Sequence, residues 1–331
     1  MLSSQQSRRR VIAIALASTF GLTLGAGMSV NADSNIESIH FLIPGGAGGG
    51  WDGTARGTGE ALTKSGLIET ASFQNMSGGG GGKAIAHLIE TANQSEGTLM
   101  VNSTPIVVRS LTKVFPQSFR DLTPIAGTIA DYGAFVVTND SPIANWGEVV
   151  AAFRENPRKM KFAGGSSKGS LDHLVPAAAI KAEGLDPKTL KYIPYDAGGK
   201  AMAGLLSGEA ELLSTGLGEA LEMSKAGQVR ILAVTAPERL ADAPDVPTLV
   251  EMGNPTVFAN WRGFFGAPGL SAEKAAAYAD VLGKMYDTPE WETVRARNGW
   301  VNVYKPGDEF YKFLEEQEQQ VGDLMRELGF L

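Results

Sequence analysis

The fold class is indicated by residues 39–64, which read IHFLIPGGAGGGWDGTARGTGEALTK. The apolar run at 39–43 has the length of a buried strand, and the glycine-rich residues that follow allow a tight turn. Residues 52–64 then have the length and composition of a helix. A strand, a glycine turn and a helix in this order begin a βαβ unit. The stretch therefore predicts an α/β fold with parallel strands.

The same pattern recurs along the rest of the chain, which favours parallel sheets built from βαβ units. Predicted strands lie at 39–43, 72–75, 99–102, 134–138, 161–163, 191–194, 211–214, 230–235, 262–266 and 301–304. Predicted helices lie at 52–64, 83–91, 170–183, 200–206, 272–286 and 308–328. A further helix is expected to begin at Pro289, capped by Thr288, and Ser271 is expected to cap the helix at 272–286.

Composition excludes several classes of function. The 331 residues contain no cysteine, which excludes disulfides, thiolate metal sites and a cysteine nucleophile. Histidine occurs only three times, and we expect neither a metal nor a cofactor. The net charge of −7 argues against nucleic acid as a partner, because phosphate binding relies on a basic surface.

Residues 1–32 have the pattern of a secretory signal peptide. Three arginines at 8–10 form a basic region, an apolar stretch follows at 11–24, and small residues precede a cleavage site after Ala32. The apolar stretch is shorter than the roughly 20 residues of a spanning helix, although a retained membrane anchor is the alternative. We therefore expect an exported protein whose signal peptide is cleaved. Residues 33–331 carry a net charge of −10.

Five turns between a strand and a helix share an unusual composition. They are rich in glycine, serine, threonine and asparagine, which offer N–H groups and hydroxyls with little bulk. Turns that follow parallel strands meet at one edge of a sheet, so we interpret them as a site for an anion with several oxygens. The alternative is that glycine only permits tight turns. The five turns lie at 44–52, 77–83, 102–105, 164–170 and 195–200.

Two motifs match cofactor or catalytic patterns only weakly. Residues 48–53 fit the dinucleotide fingerprint GxGxxG, but Trp51 is bulky for its position and the second predicted strand ends without an acidic residue. Residues 165–169 fit the GxSxG nucleophile elbow of hydrolases. The only later histidine, His173, lies six residues after Ser167, too close in sequence to reach back as a base. We therefore do not expect an enzyme.

Charged residues near the turns allow more than one interpretation. Asp172 and His173 could contact a ligand, or His173 could pack as an ordinary helix residue. Asp52 and Arg56, four residues apart, are expected to form an intrahelical ion pair. Three lysines stand near helix starts, where the helix dipole disfavours cations, so they either face an anion or reach solvent. These lysines are Lys83, Lys168 and Lys200.

Short segments spread along the chain form a further pattern. They are IPGG at 43–46 with Asp52 and Arg56, Asn75 and Ser77 with the glycines that follow, TL at 98–99, DLTP at 121–124, HL at 173–174, IPY at 193–195, LLSG at 205–208, RILAVT at 230–235 with Arg239, PDVPT at 244–248, WRG at 261–263 and LGF at 328–330. The stretch 230–248 is the most specific. Together these segments resemble the TctC/Bug family, the periplasmic receptors of tripartite tricarboxylate transporters, over nearly all of residues 33–331. The long loop at 48–51 is similar to the citrate-type branch, and residues 196–198 depart from the family's usual basic residue and glycine.

The resemblance implies a two-lobed periplasmic-binding-protein fold of type II, with the ligand cleft between the lobes. The chain would cross between the lobes near 132–134 and near 260–262. Lobe 1 would comprise residues 33–133 plus 261–331, and lobe 2 residues 134–260.

The resemblance also implies a periplasmic, monomeric receptor. It would bind a small, citrate-like di- or tricarboxylate and deliver it to the membrane permease subunits of the transporter. Family members hold carboxylates largely through N–H groups, hydroxyls and water, and the cleft turns of this chain carry no arginine. The ligand-binding residues expected on this basis are Gly46, Gly48, Gly49, Trp51, Ser77, Gly78, Ser103, Thr104, Gly165, Ser166, Ser167, His173, Tyr195 and Gly198. Two alternatives are an enzyme acting on a carboxylated metabolite and a sensory ligand-binding protein that signals to a membrane kinase.

Overall fold

A computed structural model describes residues 36–166 and 168–331. The predicted signal peptide at 1–32 and the predicted ligand residue Ser167 lie outside these described residues. Within the described ranges, no helix combines the length and the apolar character needed to cross a bilayer.

Strands and helices alternate along most of the described chain, as the sequence predicts. The strands are β1 (Ser38–Ile43), β2 (Thr70–Asn75), β3 (Thr98–Ser103), β4 (Thr123–Thr138), β5 (Lys161–Gly164), β6 (Lys191–Pro194), β7 (Leu212–Gly216), β8 (Val229–Val234), β9 (Ala259–Gly266) and β10 (Val301–Pro306). The α-helices are α1 (Gly50–Lys64), α2 (Gly82–Glu90), α3 (Pro105–Leu111), α4 (Trp146–Glu155), α5 (Leu171–Ala182), α6 (Gly198–Leu206), α7 (Leu217–Lys225), α8 (Ala272–Met285), α9 (Pro289–Asn298) and α10 (Gly307–Leu328).

The long strand β4 belongs to two sheet regions. In the first region β1 pairs in parallel with β2 and β3, β9 runs antiparallel to β3 and to β4, and β10 lies on the other side of β4. In the second region β5 pairs in parallel with β6 and β7, and β4 runs antiparallel to β7 and β8. β4 pairs with β9 as far as Tyr132 and with β7 from Gly133 onward. The division into lobes at 33–133 plus 261–331 and 134–260 stays a prediction.

Helices pack on both faces of each sheet region. Neighbouring strand residues point to opposite faces, so they belong to different cores. Phe41 belongs to a core with residues of α1, α8 and α9, whereas Leu42 belongs to a core with residues of α2, α3 and α10. In the second region Phe135 packs with residues of α4 and α5, and Val136 with residues of α6 and α7. Strands buried on both faces explain why the sequence shows continuous apolar runs.

The prediction of an α/β fold is confirmed, and every predicted strand is present. The predicted strand at 134–138 is only the second part of β4, because Pro124, Gly127 and Gly133 hide the strand character of its first part. The sequence analysis missed α3, α4 and α7, each of ten residues or fewer. The capping predictions are confirmed: Ser271 accepts a hydrogen bond from the Lys274 N–H, and Thr288 from the Trp291 N–H.

Candidate functional site

A cavity of about 660 Å³ lies where the parallel strands of both sheet regions end. The turns after β1, β2 and β3 line it from one side, and the turns after β5, β6 and β7 line it from the other. This arrangement follows from the parallel pairing, because parallel strands bring their carboxyl ends to the same edge. The five turns singled out in the sequence therefore converge on one cavity.

The first turn is held by the carboxylate of Asp52. It accepts hydrogen bonds from the Gly48 N–H at 3.0 Å, the Arg56 Nε at 2.9 Å and the Asn75 Nδ2 at 2.9 Å. Burial alone would raise the pKa of Asp52, but these three hydrogen bonds together lower it. The predicted pair of Asp52 and Arg56 is confirmed. The Gly48 N–H, which was expected to bind the ligand, donates to Asp52 instead, and Gly48 does not line the cavity, so we do not carry it forward as a ligand contact.

Trp51 and Ser103 connect the first turn to the end of β3. The indole Nε1 of Trp51 donates to the Ser103 Oγ at 2.9 Å, and both residues line the cavity. Gly46 and Gly49 line it as well, with the Gly49 N–H directed to the Gly46 carbonyl at 3.4 Å. Trp51, which is too bulky for a dinucleotide-binding motif, is therefore part of the cavity wall.

The second turn is built around an arginine that no motif indicated. Arg109 of α3 lines the cavity with only 8% of its surface exposed, and its guanidinium lies against Gly80. Gly80 has a φ of +64°, which favours glycine, and a Cβ there would lie 2.6 Å from the Arg109 Nε, so a side chain at this position would displace the guanidinium. We call Arg109 and Gly80, with the cavity-lining Ser77 and Ser103, the arginine end of the cavity.

The charge of Arg109 has no partner in the described part of the chain. Its Nε is buried without a hydrogen-bond acceptor, and none of the ion pairs among residues 36–166 and 168–331 includes it. Burial lowers the pKa of Arg109 because it penalises the charged form. A buried cation without an acceptor is costly unless an anion neutralises it.

The cavity is also lined by a second buried arginine, which has a partner. Arg262 of β9 is 4% exposed and bonds Asp131 of β4 at 3.1 Å. Its guanidinium passes over Gly50, where a Cβ would lie 2.1 Å from the Arg262 Nη2. Burial raises the pKa of Asp131 to about 6, and the Arg262 guanidinium limits this rise. We call Arg262, Asp131, Asp172 and Glu219 the acidic end.

Asp172 and Glu219 bring carboxylates into the cavity from the first turns of α5 and α7. Burial and the nearby Glu219 raise the pKa of Asp172 to about 7, and Ser166 and Arg262 limit the rise. Ser166 was expected to bind the ligand, and it lines the cavity, but its Oγ also accepts the Asp172 N–H at 3.4 Å. Glu219 accepts a hydrogen bond from the Thr215 hydroxyl.

His173 packs in the interior rather than lining the cavity, which favours the second of its two interpretations. Its ring stacks on Tyr192 with centroids 4.6 Å apart and meets Phe330 edge-on at 4.8 Å. Its Nδ1 accepts the Gly169 N–H at 3.0 Å, and burial lowers the pKa of His173 to about 4. The imidazole is therefore neutral at pH 7.

Two other expected residues are engaged within the protein. Thr104 is fully buried, does not line the cavity and lies 3.5 Å from the Asn260 Oδ1. Tyr195 lines the cavity but its hydroxyl donates to Glu209, which raises the pKa of Tyr195 to about 12. Lys200 lines the cavity and pairs with Asp196 at 3.2 Å, whereas Lys83 and Lys168 are not among the lining residues.

The cavity thus collects most of the expected residues and adds charged ones that the sequence analysis missed. Those of the expected set that line it are Gly46, Gly49, Trp51, Ser77, Gly78, Ser103, Gly165, Ser166, Tyr195 and Gly198. The turns carry no arginine, as expected, but Arg109 and Arg262 reach the cavity from a helix and a strand, together with Glu219 of α7. The sequence did contain a signal for the two arginines, since each lies inside an apolar segment, where a charged residue is unusual. These segments are PIVVRSL at 105–111 and NWRGFFG at 260–266.

Comparison with known sequences places the chain beside solute receptors. A family model described as TctC, tripartite tricarboxylate transporter family receptor, matches residues 55–330. A UPF0065 protein in the tcbD-tcbE intergenic region of Pseudomonas sp. is 30% identical over 290 residues, which cover 83% of this chain and 84% of the relative. Protein BugT of Bordetella pertussis is 25% identical over 324 residues, 96% of this chain and 97% of the relative.

Solved structures with the same fold include two proteins of Rhodopseudomonas palustris. MatC with bound malate is 20% identical, has a TM-score of 0.75 and is matched over 87% of this chain and 98% of its own. A second protein, with adipate, is 20% identical, has a TM-score of 0.76 and is matched over 88% of this chain and 97% of its own. These likenesses confirm the two-lobed periplasmic-binding-protein fold.

Proposed function

The chain belongs to the tripartite tricarboxylate transporter receptor family, TctC/Bug, and from that premise we propose that it binds a small di- or tricarboxylate. The family is one of solute-binding receptors rather than enzymes. The proposed ligand is citrate-like in carrying several carboxylate oxygens.

The observation that carries this proposal is the unpaired Arg109. A carboxylate accepts two N–H donors from one guanidinium, which is the strongest match for a buried arginine. The hydroxyls of Ser77 and Ser103 and the N–H groups of the glycine turns lie along the same cavity and add donors for further oxygens. Binding would therefore neutralise a charge that the free protein leaves buried and unpaired.

The size of the cavity and the ligands of the structural neighbours support this ligand class. About 660 Å³ suits a small metabolite. The two R. palustris proteins with the same fold are described with malate and with adipate, both dicarboxylates. We propose Gly46, Gly49, Ser77, Gly78, Ser103, Ser166 and Arg109 as ligand contacts.

We further propose that the exported protein acts in the periplasm as a monomer, without nucleic acid, and delivers its ligand to the permease subunits of the transporter. Residues 33–331 carry a net charge of −10, so the ligand anion is repelled at long range. At physiological ionic strength this repulsion is screened beyond about 8 Å, and local donors must supply the affinity.

A thermal-shift screen of the exported protein across organic acids tests the proposal. A ligand at 100 times its dissociation constant adds about 2.7 kcal/mol to stability. At roughly 2–4 °C per kcal/mol for a chain approaching this size, the midpoint rises by about 5–10 °C. The proposal fails if citrate, malate, succinate, adipate and their relatives all leave the midpoint unchanged. Turnover of any of them would instead support an enzyme.

A further inference from the structure

The residues that follow α10 contact the second sheet region at a point outside the cavity. α10 ends at Leu328, and Gly329, with a φ of +76°, turns the chain there. The Phe330 N–H donates to the Met325 carbonyl at 2.8 Å, which fixes Phe330 against its own helix. The Phe330 ring meets the imidazole of His173 on α5 edge-on, with ring centroids 4.8 Å apart. Phe330 does not line the cavity, so the function proposed above assigns it no role.

This contact belongs to a packed interface between α5 and α10. Leu174 and Ala177 of α5 are fully buried in one core with Met325 of α10, and the Phe330 ring packs against the same core. An ion pair between a lysine of α5 and a glutamate of α10 joins the two helices where they are more exposed. The position of the Phe330 ring is therefore fixed by the packing of both helices.

On the other side of His173, two hydrogen bonds fix the turn that follows β5. The imidazole Nδ1 accepts the Gly169 N–H at 3.0 Å, and the Tyr192 hydroxyl donates to the Ser166 carbonyl at 2.6 Å. The rings of His173 and Tyr192 stack with centroids 4.6 Å apart. Ser166 and Ser170 of this turn line the cavity. The two stacked rings therefore bind the backbone of a turn whose other side faces the cavity.

The hydrogen bond to Gly169 requires an unprotonated Nδ1, because a protonated imidazole has no acceptor. Burial lowers the pKa of His173 to about 4, and Lys168 acts in the same direction. The Phe330 ring is part of the apolar surface that buries the imidazole. Removal of that ring would admit water to His173 and return its pKa toward the ordinary value of about 6.5.

We propose that Phe330 is a positioning residue for ligand binding, which holds the turn after β5 in its binding geometry by covering the His173 ring. Phe330 acts from outside the cavity and does not itself contact the ligand. The consequence for binding rests on the proposed function, whereas the consequence for the turn does not.

NMR of the ligand-free exported protein tests the effect on the turn. In Phe330→Ala at pH 7, hydrogen exchange of the Gly169 amide should quicken by about two- to tenfold, as suits weaker support of one hydrogen bond. The titration of the His173 ring should move from about 4 toward about 6.5. Phe330→Tyr keeps an aromatic ring at this position and should behave as wild type does. An unchanged Gly169 amide and an unchanged His173 titration in Phe330→Ala would overturn the inference.

Calorimetry with malate, adipate and citrate tests the effect on binding. Each of these acids that binds wild type should bind Phe330→Ala about two- to tenfold more weakly at pH 7. Phe313→Ala is the matched control, because Phe313 on α10 is also half-buried against the same core but packs on Trp261 and Phe310 instead of α5. This control should lose stability and keep its affinity.

Two results of the calorimetry would overturn the inference and leave the proposed function standing. One is wild-type affinity in Phe330→Ala, and the other is an equal loss of affinity in Phe330→Ala and Phe313→Ala. If no carboxylate binds wild type, the proposed function fails, and the NMR of Gly169 and His173 alone decides whether Phe330 positions the turn.

The pH profile separates a route through His173 from a general loss of packing. Protonated His173 cannot accept the Gly169 N–H, so the affinity of Phe330→Ala relative to wild type should fall further between pH 7 and pH 5. The charged groups around the stacked rings are common to both proteins, so the ratio of the two affinities isolates His173. These groups are Lys168, Asp172 and Arg109 near the rings, and Lys181, Lys188 and Glu327 around the contact between α5 and the end of α10. A ratio that stays constant with pH would overturn the inference.

Discussion

The two ends of the cavity each contain a buried arginine, but only one of the two arginines has an ion-pair partner. At the acidic end Arg262 is neutralised by Asp131, a partner within the fold. At the arginine end Arg109 has no such partner among the described residues and lies against a glycine that leaves room beside it. A buried ion pair is neutral without a ligand, whereas a buried unpaired cation is neutralised only when an anion binds. On this difference rests our proposal that the arginine end binds the anion.

The largest effect should come from breaking the internal pair. Arg262→Met leaves Asp131 buried without its cation, which should lower the free energy of unfolding by about 3–5 kcal/mol at pH 8. Urea unfolding measures this loss, which should shrink at pH 5, where Asp131 can be protonated. Arg297→Met is the control, because its ion pair with Glu60 is solvent-exposed and should contribute much less. If the two variants lose equally little stability, Arg262 is not the structural arginine described here.

Substitutions at two glycines distinguish an effect on Arg109 from the general cost of backbone strain. Gly80→Ala and Gly66→Ala both force alanine into a left-handed conformation, which costs roughly 1–2 kcal/mol of stability. Only the Cβ at position 80 would collide with Arg109, since Gly66 has nothing within 4 Å. Gly80→Ala should therefore also weaken ligand binding, and Gly66→Ala should not. Equal ligand affinity in the two variants would show that Arg109 does not need its present position.

The acidic end should make stability depend on pH in a direction opposite to an ordinary surface carboxyl. Asp172 has a pKa raised from 3.8 to about 7, so the folded protein binds this proton more tightly than the unfolded chain. Its contribution to stability therefore falls as pH rises from about 4 to about 7. Relative to wild type, Asp172→Asn should gain on the order of 1 kcal/mol per pH unit in this window.

Urea unfolding of the two proteins at pH 5, 6, 7 and 8 measures this difference. His173 titrates in the opposite sense, since burial lowers its pKa to about 4, but it is common to both proteins. A difference that stays constant with pH would mean that Asp172 remains ionised throughout.

The sequence predicted the fold and the turns of the site because both depend on local patterns. Apolar runs of strand length and glycine-rich turns are visible residue by residue, and parallel pairing then brings the turns together. The charged side chains could not be placed in the same way. Arg109 reaches the cavity only because α3 packs against the second glycine turn, and the Gly48 N–H is engaged by Asp52, which the glycine run does not reveal. Such contacts join elements far apart in sequence or depend on side-chain geometry, so spacing alone does not reveal them.

The most direct test of the account is calorimetric titration of wild type and Arg109→Gln with the carboxylate that gives the largest shift in the screen. If a ligand carboxylate neutralises Arg109, the variant should bind about 10–100-fold more weakly, because a charged hydrogen-bonded contact contributes about 1.5–3 kcal/mol. Arg154→Gln makes the same charge change at an exposed position in the last turn of α4, and this variant should bind the ligand as wild type does. Wild-type affinity in a folded Arg109→Gln protein would contradict the central claim that this unpaired arginine holds the ligand.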